Sequence, residues 1–420
     1  MERGVVKLAF VKELLCLRCG HAHAPESKAY VCEQCGGKIE VKYDYDSIAL
    51  SRTKLENRRP GVWKYTELLP VQNPKRAVTL GEGGTPLIKA EKLGRALGMK
   101  HLYLKDETRN PTASFKDRLM TVGVTKALEF GARTVVTASS GNAAVSLAAY
   151  AAKGGLQCYA FVPAGAPKSK LAQISIHGAT VLKVRRKKKG DPTYELMVKS
   201  WERFGWHPIP SAGRFNPYHW EGIKSLAFEV CEDLGWKCPD WVFVPTGAGT
   251  LMSGTAKGFQ EFEFLGLVNG SPRLVAVQAE GCAPLVRAFK RGTPYEQIDT
   301  WENPKTVAGG LIDPFPWDAD TAIDGIKRSG GDAVEVSDRQ ILWAERELAK
   351  LEGVFAEPSG AAGIAGLKKL RDEGRIDPSD VVVVEVTGGG LKDIKTALAL
   401  AKKPKVAKAT PAAISKLVRI

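Results

Sequence analysis

Thr134-Val135-Val136-Thr137-Ala138-Ser139-Ser140-Gly141-Asn142 is a β-branched run that breaks into turn residues. The run predicts a strand over 134–138, because branched side chains fit a pleated sheet, followed by a polar loop over 139–142. The Ala-rich stretch that follows predicts a helix over 143–153. A strand over 158–162, a helix over about 168–177 and a strand over 180–184 come next. Parallel neighbours need a crossover connection, so this β-loop-α-β-α-β order implies a parallel sheet covered by helices. The same pattern returns later in the chain. A strand over 241–244 runs into Pro245-Thr246-Gly247-Ala248-Gly249-Thr250 and a helix, and a further strand covers 274–278. Helical material fills 338–351, and a buried strand over 381–386 ends in Thr387-Gly388-Gly389-Gly390. The class is α/β. The expected organisation is a ribbon-like segment over 1–60, a small α/β domain over 115–210, and a larger α/β domain made of 61–114 and 211–420.

The chain has 420 residues, 44% of them hydrophobic and 25% charged, which is enough to bury full-sized cores. No segment approaches the ~18 uninterrupted apolar residues of a membrane helix. The start, residues 1–10, lacks the apolar stretch of a signal peptide. The expectation is a soluble, cytoplasmic protein. Lys and Arg number 61 against 46 Asp and Glu, a net charge of +15. Such an excess can gather nucleic-acid phosphate, but its placement argues otherwise. The one dense run is Arg185-Arg186-Lys187-Lys188-Lys189, with no aromatic residues interleaved as a single-strand binder would want. It reads as a solvated loop, and no nucleic-acid or membrane partner is expected.

Four of the eight cysteines fall early, in Cys16-Leu17-Arg18-Cys19-Gly20 and Cys32-Glu33-Gln34-Cys35-Gly36-Gly37. Two thiolate pairs, each followed by a turn glycine, can close a tetrahedral zinc site. Cys16, Cys19, Cys32 and Cys35 are therefore candidate metal ligands. A relic ribbon that folds without metal is the alternative. A catalytic zinc is disfavoured because four thiolates leave no open position.

Four further segments suit chemistry. Asn110-Pro111-Thr112-Ala113-Ser114-Phe115-Lys116-Asp117-Arg118 leads into a helix over 119–130. A lysine at a helix start is disfavoured as an ammonium by the dipole, and a desolvated lysine suits Schiff-base and proton-transfer chemistry. Ser139-Ser140-Gly141-Asn142 opens a helix, where backbone N–H groups bind anions such as a carboxylate. Gly247, Ala248, Gly249 and Thr250 repeat that arrangement in a form suited to a phosphate, without the lysine of a Walker loop. Thr387 ends a central strand, where ligands of parallel sheets lie, and its hydroxyl could bond a ring nitrogen.

In this order and spacing the four segments resemble the fold-type-II pyridoxal-phosphate (PLP) family that includes threonine synthase, cysteine synthase and serine/threonine dehydratase. The similarity is greatest to the threonine synthases and covers nearly the whole chain, from the cysteine ribbon to Asp393. Gly81-Glu82-Gly83-Gly84-Thr85-Pro86-Leu87, Leu104-Lys105-Asp106-Glu107, Asn216-Pro217-Tyr218, Glu221–Glu229 and Glu352–Ala362 support it. The resemblance implies two doubly wound α/β domains with an N-terminal zinc-ribbon-like extension. It also implies PLP as a Schiff base on Lys116, which serves as acid and base. Asn142 would face the ring hydroxyl, residues 247–250 the cofactor phosphate, Thr387 the pyridine nitrogen, and Ser139 and Ser140 the substrate carboxylate. The implied partner is a small amino-acid substrate, phosphorylated, and a homodimer is compatible with the family.

Three positions depart from the threonine synthase pattern. Ala143 stands where the family has threonine, His219 where it has arginine, and Gly309–Pro314 where it has an AIRIG-like segment. All three fall where substrate is selected, and unpaired substrate oxygens would cost ~1–3 kcal/mol each. Arg214, upstream of His219, is the expected replacement phosphate partner, with His219, Lys168, Lys170 and Lys224 nearby in the segments that should flank the cleft. The expected reaction is O-phospho-L-homoserine plus water to L-threonine plus phosphate. The alternatives are β-replacement or β-elimination on phosphoserine, serine or threonine, and a PLP-fold binding protein without catalysis.

Overall fold

The computed structural model describes residues 10–185 and 191–415. Residues 1–9, where no leader was expected, and 186–189 of the basic run lie outside the described residues; Arg185 is exposed. The first unit is an antiparallel three-stranded sheet of β1 (Val11–Cys16), β2 (Ala22–His23) and β3 (Ile39–Tyr43), in the order β2-β1-β3. It is fastened to the body of the protein. Tyr30 Oη lies 2.8 Å from His207 Nδ1, Tyr43 Oη donates to Glu221 at 2.9 Å, and Lys257 Nζ donates to Val41 O at 2.7 Å.

Next come β4 (Leu87–Lys89) and β5 (His101–Asp106), then β6 (Thr134–Ala138), β7 (Gln157–Pro163), β8 (Thr180–Val184) and β9 (His207–Pro208). The last four form one parallel sheet in the order β8-β7-β6-β9. Helix Asn142–Gly154 covers it with Ala144, Leu147, Ala148, Tyr150 and Ala151, and the alanines among them let the helix lie close to the sheet. The chain then adds β10 (Trp241–Pro245), β11 (Arg273–Ala279), β12 (Asp332–Val336) and β13 (Val381–Val386). With β4 and β5 they make a six-stranded sheet in the order β12-β11-β10-β13-β5-β4, parallel except for β4. Val242, Phe243 and Val244 are fully buried, as expected of a strand covered on both faces.

Helix Pro358–Asp372 lies against this sheet on a stripe of glycines. A Cβ on Gly363 would come within 2.6 Å of Val384, and one on Gly366 within 2.5 Å of Val277. Bulkier residues there would push the helix off the sheet. The helix after the NPTASFK segment starts at Lys116, three residues earlier than the sequence suggests. The Asp117 carboxylate accepts from Thr112 N and Thr112 Oγ1, both at 2.6 Å, and so ties the preceding turn to the first helical turn.

Candidate active site

Three loops meet at the carboxyl ends of β6, β10 and β13. Ser139–Gly141 follows β6, residues 246–249 follow β10, and Thr387–Gly389 follows β13. Lys116 reaches the same place from the segment after β5. Its turn is laced to the β13 loop, since Phe115 N donates to Thr387 O at 3.1 Å and Gly389 N to Ala113 O at 2.9 Å. Ala113 has φ 57°, a left-handed conformation rare for a residue with a Cβ. That strain is held in place three residues before the lysine.

The result is a cleft of ≈ 270 Å³ lined by Lys116, Ser139, Ser140, Asn142, Gly247, Ala248, Gly249, Thr250 and Thr387, among others. The structure thus brings together nine of the residues singled out in the sequence. Lys116 Nζ donates to Ser211 O at 3.1 Å. Burial pulls its amine down to about 8, although Asp313 and Asp318 favour the charged form. Asn142 donates its amide to Glu357 Oε1 at 2.6 Å. Burial raises the Glu357 carboxyl, opposed by that hydrogen bond and by Lys170 and Lys392. Gly249 has φ 101°, and a Cβ there would lie 3.0 Å from Asp318 O. A Cβ on Gly247 would lie 3.3 Å from Gly310 O, so the loop is tight at both positions and strained at 249. It opens helix Thr250–Phe264, whose first-turn N–H groups are free to meet an anion.

Arg214 and His219 are not part of this cleft. The Arg214 guanidinium donates to Gly36 O at 3.3 Å and lies 5.7 Å from the centre of the Tyr295 ring, so it braces the cysteine ribbon. His219 is fully buried, with its ring nitrogens 3.1 Å from Asn216 O and 3.0 Å from Pro210 O. Desolvation, reinforced by the Lys116 charge, pulls it down to about 4. The expectation that these two face a substrate phosphate is therefore corrected. Lys224 is likewise engaged, 2.6 Å from Glu221 and 2.8 Å from Glu261. Lys170 does line the cleft, as does Asp313 of the substrate-selecting Gly309–Pro314 segment, and so do Tyr194 and Glu357, to which the sequence reading gave no role. Lys170 Nζ lies 3.5 Å from where a Cβ on Gly309 would stand. Burial pushes the Asp313 carboxyl up to about 8, with Lys116 opposing. Only Pro314 beside Asp313 and the Glu357-Pro358 pair marked these segments as rigid turns.

The four ribbon thiols lie within 4.8 Å of one another. Cys16 and Cys35 Sγ are 3.5 Å apart, Cys19 and Cys32 Sγ 3.7 Å. A tetrahedron of zinc–sulfur bonds of about 2.3 Å has edges of about 3.8 Å, so the set fits a closed zinc site. A Cβ on Gly37 would come within 2.8 Å of Cys16 Sγ and 3.0 Å of Cys35 Sγ.

The profile of the family described as pyridoxal-phosphate dependent enzyme matches residues 78–388. Threonine synthase of Methanosarcina acetivorans is 42% identical over 406 residues, covering 96% of this chain and 98% of that protein. Threonine synthase of Methanocaldococcus jannaschii is 43% identical over 393 residues, 93% of this chain and 95% of that one. Among solved structures, maize serine racemase superposes with a TM-score of 0.63 at 24% identity, over 75% of this chain and 90% of that one, a likeness of fold alone. The cleft suits the cofactor of such proteins: a desolvated amine, an anion-binding helix start crowded against side chains, and polar groups at three strand ends. By its sequence over nearly its whole length, this chain belongs to the pyridoxal-phosphate dependent enzymes, among the threonine synthases.

Proposed function

We propose that this chain converts O-phospho-L-homoserine and water to L-threonine and phosphate in the cleft around Lys116. The observation that carries the reading is the convergence of a buried, depressed amine with three strand-end loops. PLP, when bound, supplies an aldehyde for the lysine and an electron-withdrawing ring that makes the substrate's α-proton acidic. Lys116 would hold it, with residues 247–250 at its phosphate, Asn142 at its ring hydroxyl and Thr387 at its ring nitrogen. Glu357 orients the Asn142 amide. Ser139 and Ser140, at the start of helix Asn142–Gly154, would hold the substrate carboxylate.

The net reaction removes a proton from the β-carbon, adds hydroxyl there, and replaces phosphate by hydrogen at the γ-carbon. The α-proton leaves and returns. Lys116 is the group suited to carry these protons, because an amine near 8 exchanges them readily at neutral pH. Lys170, and not Arg214, is the cation that would meet the substrate phosphate. Burial favours the neutral form of Asp313, which lessens the negative charge set against that phosphate. The reading includes a cytoplasmic location, since thiols paired at 3.5 and 3.7 Å hold a metal only where they stay reduced. Among the described residues no helix is long and apolar enough to cross a membrane.

The test is a substrate panel of phosphohomoserine, phosphoserine, serine and threonine, each with water and with sulfide. Threonine and phosphate should form from phosphohomoserine. Cysteine from phosphoserine, or ketoacid from threonine, without threonine synthesis would replace this reading by β-replacement or elimination. Lys170→Ala should raise KM for phosphohomoserine about tenfold or more, the loss of one charge-assisted contact. An equal rise for unphosphorylated substrates would place Lys170 at the carboxylate instead.

Cofactor capture should carry the signature of the depressed amine. Only the free amine attacks an aldehyde, and desolvation frees it at lower pH. The rate at which cofactor-free protein takes up PLP should climb with pH and level off above about 8. A rate that climbs on towards the ordinary lysine value of about 10.4 would show a solvated amine.

A further inference from the structure

Lys38 belongs to the cysteine ribbon, three residues after Cys35, yet only 1% of it is exposed. Its ammonium lies 2.7 Å from Asp318 Oδ1 and 3.6 Å from Asp320, and donates to Thr321 Oγ1 at 2.8 Å. Asp318 is fully buried and holds the 247–250 loop from behind. Its Oδ2 accepts from Thr250 Oγ1 at 2.6 Å and from Gly213 N at 2.7 Å, and its backbone N donates to Ala248 O at 2.9 Å. Thr321 Oγ1 lies 2.7 Å from Ser253 Oγ, which donates to Gly249 O at 3.0 Å. One step further, Ser211 O accepts from Lys116 Nζ at 3.1 Å and lies 3.3 Å from Thr250 Oγ1.

A carboxylate behind an anion-binding loop is an electrostatic problem. Left alone, Asp318 would repel a phosphate on the other side of Thr250. Lys38 cancels that charge, and desolvation makes the pair matter more than it would in water. Neither partner gains from being charged unless the other is in place. The lysine is delivered by the segment whose geometry the four cysteines set: Gly37, next to it, packs against Cys16 and Cys35 Sγ.

We propose that Lys38 is a positioning residue for the cofactor phosphate: through Asp318 it makes the loop over 247–250 an anion site, and thereby links closure of the cysteine ribbon to cofactor affinity. The proposal rests on reading 247–250 as the cofactor phosphate loop. It is tested on the full chain by titrating cofactor-free protein with PLP and with pyridoxal, which lacks the phosphate, alongside metal analysis. Wild type should contain about one zinc per chain, as a four-thiolate site demands. Lys38→Met should keep that zinc and weaken PLP by about tenfold or more, while barely changing pyridoxal binding. Lys38→Met with Asp318→Asn should recover most of the loss, because no buried charge is left unpaired. Chelating the zinc should weaken PLP binding in wild type but not in the double variant. Unchanged PLP affinity in a folded Lys38→Met protein overturns the proposal. If that variant does not fold, unchanged affinity in chelated wild type overturns it, and so does a chain that carries no zinc. Equal losses for PLP and pyridoxal would instead refute the phosphate-loop reading itself.

Discussion

Lys116→Ala should abolish the visible absorbance of the bound cofactor and lower threonine formation by about 10³-fold or more. The magnitude follows from the two tasks lost together. General acid–base assistance alone contributes about 10²–10⁴, and the covalent hold on the cofactor is lost with it. The fold should survive, because the lysine contributes one hydrogen bond, to Ser211 O at 3.1 Å, and its burial is a desolvation cost that alanine does not carry. Borohydride reduction followed by peptide mapping gives the direct readout: cofactor fixed at residue 116 in wild type, and nowhere in the variant. Among the described residues Lys170 is the other lysine lining the cleft. If the variant were labelled there and kept its turnover, Lys116 would not be the cofactor lysine.

What could be read in the sequence divides along a physical line. A loop that follows a β-branched run and precedes a helix carries its own signal, and in a parallel sheet every such loop opens on the same edge. Residues 139–142, 247–250 and 387 were therefore legible, and Lys116 with them, because its segment also ends in a helix start. The strand spans 134–138, 180–184 and 381–386 agree with β6, β8 and β13 for the same local reason. Arg214 was read from its neighbours in the chain, but direction is not encoded there. The 3-10 turn Gly213–Phe215 points its guanidinium at the ribbon's Gly36. His219 packs so closely under helix Lys116–Glu129 that a Cβ on Gly123 would lie 2.9 Å from its Cβ. The roles of Glu357 and of the Lys38–Asp318 pair had no local signal, and Asp313 was marked only as part of the Gly309–Pro314 segment. Each acquires meaning only from a partner hundreds of residues away, and no periodicity or turn rule spans that gap.

Arg118 is the sharpest case of a residue whose role is invisible until the fold closes, and it supports the largest stability prediction. It sits two residues after Lys116, fully buried, and donates from Nε to Glu107 at 2.7 Å and from Nη2 to the same carboxylate at 2.8 Å. Its other contacts are both oxygens of Glu229 at 2.7 Å, Ser225 Oγ at 2.8 Å and Thr85 Oγ1 at 3.0 Å. One guanidinium thus joins the segments around 85, 107, 118 and 229. Burial alone would raise the Glu229 carboxyl, but Arg118 and Lys105 hold it down to about 2. Removing one partner from a buried pair leaves the other charge uncompensated, which costs about 3–5 kcal/mol. Arg118→Met should therefore lose about that much in urea unfolding of the cofactor-free protein. Adding Glu107→Gln should return part of it, because one of the stranded carboxylates is then neutral. The pH dependence has a definite sign. A depressed carboxylate stabilises the fold fully above its unfolded value of about 4.3, and that contribution is lost as pH falls towards about 2. The gap between wild type and Arg118→Met should therefore be widest near neutrality and close as the solution is acidified. A loss below about 1 kcal/mol at neutral pH, the size of an exposed pair, would mean that the remaining partners compensate both glutamates and that Arg118 is not the clamp beneath Lys116.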